Sequence, residues 1–102
     1  MNYNQPMTLD LARKRYETTW QQLLDLANTR NLLIQQLASM AHVAGEFYPA
    51  NGILIEFNVD RAQSILAQLQ EVRSKLFSTI EELNRYAAQI GKPRIERKRL
   101  DF

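Results

Sequence analysis

The sequence predicts an all-α protein: a long antiparallel two-helix hairpin, coiled-coil-like, that completes a four-helix bundle by dimerisation or by binding a partner. Three observations carry this. Residues 9–44 and 59–90 contain neither Gly nor Pro, and good helix formers dominate both. Both stretches place apolar residues at alternating steps of three and four, the spacing of a coiled-coil seam. A single connection joins them, and 102 residues suffice for one small domain.

The elements follow in chain order. Residues 1–7 form a polar arm. Thr8 is placed to cap the first helix, with Asp10 in the first turn, where a carboxylate complements the helix dipole. The helix runs from Leu9 to Ala44, about 36 residues or roughly 54 Å, and Gly45 offers a left-handed C-cap. Residues 45–58 connect it to the second helix, 59–90, which Asn58 or Asp60 caps. Gly91 stops that helix and Pro93 follows. Glu71/Lys75 and Glu81/Arg85 are i,i+4 pairs in the favourable order. The hairpin domain is therefore 1–91, and 92–102 is a C-terminal tail.

The seam of helix 1 reads Tyr16, Trp20, Leu23, Ala27, Arg30, Ile34, Leu37, Ala41, Ala44. That of helix 2 reads Val59, Ala62, Leu66, Leu69, Arg73, Leu76, Ile80, Leu83, Ala87. In an antiparallel pair, facing residues have a constant number sum. A sum of 103 opposes Leu37 to Leu66 and Leu23 to Ile80, and it brings Arg30 and Arg73 into one polar layer. Their stems then lie in the seam with heads reaching water, or the layer fixes register and partner. Beside this seam runs a second apolar stripe: Leu26, Leu33 and Met40 on helix 1, and Ile65, Val72 and Tyr86 on helix 2. A lone hairpin buries only its seam, so this stripe is the expected partner-binding face, for a second copy or for a helical partner.

The connection is long for a helix–helix loop and unusually apolar. Asn51-Gly52 lies between Phe47/Tyr48 and Ile53-Leu54-Ile55, with the turn chemistry of a small β-hairpin. Phe47, Tyr48, Ile53, Ile55 and Phe57 either fold over the bundle end as a lid or form a contact for a partner. The tail carries Lys92, Arg94, Arg97, Lys98 and Arg99 against two acidic residues. Residues 1–91 hold eight basic and nine acidic side chains, so the net charge of +2 originates in the tail. Such an arm serves nucleic acid or an acidic partner, or is a solubilising end.

Catalysis finds no pattern here. The chain has no cysteine and one histidine, His42, so no thiol nucleophile and no multi-histidine metal site is expected within one chain. Glu81 and Glu82 diverge on their helix, and phosphate-loop, nucleophile-elbow and zinc-protease motifs are missing. No cofactor, metal or small-molecule substrate is expected. With no stretch of roughly 20 apolar residues and no signal-like start, a cytoplasmic location off the membrane is expected. The first functional reading is a non-enzymatic protein–protein interaction module, an adaptor, assembly factor or inhibitor. The second is nucleic-acid binding through the tail. In size and hairpin layout the chain also resembles the Trp-x-Gly secreted hairpins, which implies a small secreted helical protein. Here the bend carries Gly45 and Gly52, and the only tryptophan, Trp20, lies in helix 1.

Overall fold

The computed structural model describes residues 8–45, 50 and 52–100. Two helices, α1 (Leu9–Ala44) and α2 (Val59–Ile90), pack against each other as a hairpin. The expected ends are met. Thr8 accepts from the Leu11 N–H through Oγ1 at 3.3 Å, and its carbonyl accepts from the Ala12 N–H at 2.9 Å. Asn58, rather than Asp60, caps α2: its Oδ1 accepts from the Arg61 N–H at 2.9 Å. At the far end the Lys92 N–H reaches back to the Ala87 carbonyl at 3.0 Å, and Gly91 has φ +72°. That is a Schellman stop, in which glycine supplies the left-handed residue. Gly45 does not do the same. Its φ is not positive; its N–H continues the helical ladder to the Ala41 carbonyl at 2.9 Å, and α1 ends there.

The chain divides into two compact units. The first joins residues up to Asp25 with those from Leu76 onward, and the second is Leu26–Lys75. In the first, the start of α1 packs on the end of α2. Ala12, Leu23, Leu76, Leu83, Tyr86 and Ala87 are buried there, together with Thr19. The Tyr86 hydroxyl donates to Glu82 Oε1 at 2.9 Å, which satisfies a phenol whose ring is in the core. Tyr16 and Trp20 stack with centroids 6.2 Å apart. In the second unit, Leu33, Ala62 and Ile65 are buried, and Leu26, Leu37, Met40, Leu69 and Val72 are half-buried.

These burials correct the expected seam. With the repeat written abcdefg, the inward residues of α1 are Tyr16, Leu23, Arg30, Leu37 and Ala44 at a, and Ala12, Thr19, Leu26, Leu33 and Met40 at d. Those of α2 are Ala62, Leu69, Leu76, Leu83 and Ile90 at a, and Ile65, Val72, Thr79 and Tyr86 at d. Every one of them except Arg30 is buried or half-buried. The expected a column is right on both helices, but the expected second column is the neighbouring e column. Leu66, meant to oppose Leu37, is 52% exposed, whereas Ile65 is fully buried. The two inward columns mirror each other when facing numbers sum to 102, not 103. Within the first unit this opposes Thr19 to Leu83, and within the second Leu37 to Ile65.

Candidate interaction surface

The six residues expected to bind a partner are the hairpin's own interior. Leu33, Ile65 and Tyr86 are buried, and Leu26, Met40 and Val72 are half-buried. The physical reason is competition between adjacent columns. A helix buried along one side hides an arc wide enough for a, d and e together, and apolar residues fill both d and e here. Leu33, Ile65 and Tyr86 at d are buried, whereas Trp20, Ile34 and Leu66 at e stay exposed, and Arg73 in that column keeps its charge out of the interior.

The shared arginine layer is not formed. Arg73 sits at e and is exposed; the half-buried residue beside it is Val72. Arg30 does occupy an a position, but its head leaves the seam and Nη1 donates to Asn31 Oδ1 at 2.9 Å. Bringing two guanidiniums into one buried layer would cost several kcal/mol, and this arrangement avoids it.

Phe47 and Tyr48 lie outside the described residues. Among the described residues of the connection no closed lid forms: Ile53, Leu54, Ile55 and Phe57 are 67%, 63%, 42% and 42% exposed. Ile55 and Phe57 border a shallow depression with Val43 and Ala44 of α1. Gly52 has φ +69°, as a turn at this point requires, but residues 53–58 form no strand.

The tail begins as a strap on α2. Asn84 holds the backbone of Ile95 at both polar groups. Its Oδ1 accepts from the Ile95 N–H at 2.8 Å, and its Nδ2 donates to the Ile95 carbonyl at 2.9 Å. Two residues on, the Arg97 guanidinium lies 4.0 Å from the centroid of the Phe77 ring, a cation–π contact. Phe77 and Asn84 are one heptad apart at b, so the chain runs back along that side of α2. Lys92, Arg94, Arg97, Lys98 and Arg99 are all exposed.

The corrected phase exposes a different apolar surface. In an antiparallel pair the e columns of both helices lie on one side. In the second unit that side carries Ile34 and Ala41 from α1, and Val59 and Leu66 from α2. Ile34 is 40% exposed, Val59 55% and Leu66 52%. The b residues beside them are Asn31, Ala38, Gln63 and Gln70, and the charged groups bordering this flank are Arg73 at e and the Arg30 head bonded to Asn31. The opposite side mixes exposed Leu32 and Val43 with polar groups. It holds Arg61, whose Nη2 donates to Gln36 Oε1 at 3.3 Å across the two helices, and the Lys75–Glu71 pair at 3.3 Å. Beside the Arg61–Gln36 bond an open groove of about 450 Å³ is floored by Met40 and Ile65 and edged by Leu32.

Among the described residues no cluster of three His, Asp or Glu side chains could hold a metal, and no helix is long and apolar enough to cross a membrane. His42, Glu81 and the exposed arginines stand on solvent-facing positions of their helices. No family model matches the chain, and neither a curated protein nor a solved structure shows significant similarity to it, so its functional reading rests on the surface just described.

Proposed function

We propose that the chain is a non-enzymatic protein–protein interaction module that docks a partner on the e-side flank of its second unit, adding helices to the hairpin to complete a bundle. The observation that carries this is the exposure of Ile34, Val59 and Leu66 on one side, beside Ala38, Gln63 and Gln70, with the Arg61–Gln36 bond and the Lys75–Glu71 pair on the opposite side. Single exposed leucines are ordinary on protein surfaces, whereas an apolar row drawn from two helices marks an interface. The packing class for such an addition is that of four-helix bundles, where each helix offers a second stripe beside its first.

A photo-activated cross-linking residue at Leu66, and in a second chain at Leu32, tests the reading in cells of the native host. Leu32 is 60% exposed on the opposite side and serves as the reference. Adducts at 66 but not at 32 are expected. Equal adducts at the two positions, or none at 66, would overturn the assignment.

A further inference from the structure

We propose that the strap on α2 is a preorganised cationic edge that binds nucleic acid through its phosphates. Every residue of this site lies in the first unit, apart from the flank in the second. The shape of the strap supports the assignment. Gly91 ends α2, and four residues later the chain has run back to Asn84, one heptad down the helix. One heptad is about 10.5 Å of helix, and four residues reach at most about 14 Å. Residues 92–95 are therefore close to extended. In extended chain successive side chains alternate in direction. Ile95, half-buried, and Arg97, over the Phe77 ring, turn toward α2, so Arg94, Glu96 and Lys98 turn outward.

Charge points the same way. Lys92, Arg94, Arg97, Lys98 and Arg99 are exposed, and Glu96 is the one acidic residue between 92 and 100. Among the described residues no ion pair joins Lys92, Arg94, Lys98 or Arg99 to a carboxylate. Arg97 is held by the face of its guanidinium against the Phe77 ring. Stacking of that kind leaves the in-plane N–H edge for a phosphate, which it can meet bidentately.

The cations stand in a line along an extended segment, the arrangement that a linear polyanion meets phosphate by phosphate. Each phosphate they neutralise releases condensed counterions, a gain that comes with the charge density of a nucleic acid and favours it over an acidic protein surface. The bonds from Asn84 and the Phe77 contact hold the line before a ligand arrives, so less ordering remains to be done on binding. Residues 92–100 include no aromatic side chain on which a base could stack. Contacts to phosphate carry no sequence information, so base sequence should matter little.

Fluorescence anisotropy of a labelled oligouridylate with the full chain, across a series of salt concentrations, tests the proposal. For three to five phosphate contacts the slope of log affinity against log salt should be about −2 to −3.5. Arg94→Gln combined with Lys98→Gln changes two exposed side chains. It should leave the helical circular dichroism as it was and flatten the slope by about 1.4. Asn84→Ala combined with Phe77→Leu keeps every charge and removes both locks. It should weaken binding about three- to tenfold at constant salt, because the competent form of the strap is then less populated. Failure to bind at low salt overturns the proposal, and so does a slope unchanged by the Arg94 and Lys98 substitutions. Binding that is equal or tighter in the unlocked variant overturns it too, since the tail would then act as a loose run of cations. Polyglutamate that displaces the oligonucleotide as well as unlabelled oligouridylate does would make the strap an arm for acidic protein instead.

Discussion

Leu32 and Leu33 are adjacent, identical in chemistry, and placed in opposite environments. Leu33 is 7% exposed at a seam position, and Leu32 is 60% exposed on the side of Arg61. Replacing each by Ala in turn changes helix propensity by the same small amount, so the difference between the two variants reports burial alone. Leu33→Ala deletes a side chain from a closed contact. The lost transfer energy and the residual cavity together cost about 2–5 kcal/mol. Leu32→Ala gives up only two fifths of a burial worth about 1.5–3 kcal/mol in full and leaves no cavity, so its cost is about 1 kcal/mol or less. Against a stability of about 5–15 kcal/mol for a chain of this length, the first loss is large and the second is minor. In melting temperature, a difference of about 2 kcal/mol amounts to roughly 8–16 °C. Urea denaturation followed by circular dichroism measures both; the midpoints should separate with the slope unchanged. Neither residue lies on the flank assigned to the partner, so association does not blur the comparison. Equal midpoints, or a greater loss at Leu32, would refute the heptad phase on which the interior and the open flank both depend.

Other substitutions probe the remaining elements. Asn84→Ala removes both bonds to Ile95 and should raise the exchange rate of the Ile95 amide by about tenfold, the equivalent of about 1.4 kcal/mol; Asn84→Asp keeps the acceptor and should raise it less. Phe77→Leu removes the ring under Arg97 at a cost of about 0.5–1 kcal/mol in holding the strap, read as faster proteolysis after residue 97 with the helix melting point little changed. Gly91→Ala meets no atom within 4 Å, so its cost is the left-handed backbone alone, about 1–2 kcal/mol in urea denaturation. Asn58→Ala leaves the Arg61 N–H without its 2.9 Å partner and should destabilise by about 1 kcal/mol in the same assay.

Local chemistry explains why the helices were legible and the interior was not. Thr8, Asn58, Gly91 and the two runs without Gly or Pro each act within a few residues of themselves, and the ends of α1 and α2 fall where those signals stand. The heptad phase is a choice between neighbouring columns. On α1 the d column contains Thr19, which reads as a surface residue and is 3% exposed, while the e column contains Trp20, which reads as core and is 39% exposed. Large aromatics weigh heavily in any apolar pattern, yet Trp20 stacks on Tyr16 at the rim of the seam. Arg73 held the readable clue. Phasing α2 on Ile65, Val72, Thr79 and Tyr86 removes that charge from the interior, and it gives the buried Tyr86 phenol an acceptor four residues earlier at Glu82. The strap was illegible because its lock, Asn84 to Ile95, spans eleven residues and reads as one ordinary polar side chain on a helix.

The central claim is that the row of Ile34, Val59 and Leu66 is the docking surface for a partner protein. The chain has no cysteine, so a single Leu66→Cys or Leu32→Cys gives one reactive site each. Thiol labelling rates measured for the purified chain and for the chain in lysate of its native host test the claim most directly. The rate at position 66, relative to that at 32, should fall steeply in lysate. A ratio that is the same in both settings, or protection at 32 instead, would contradict it.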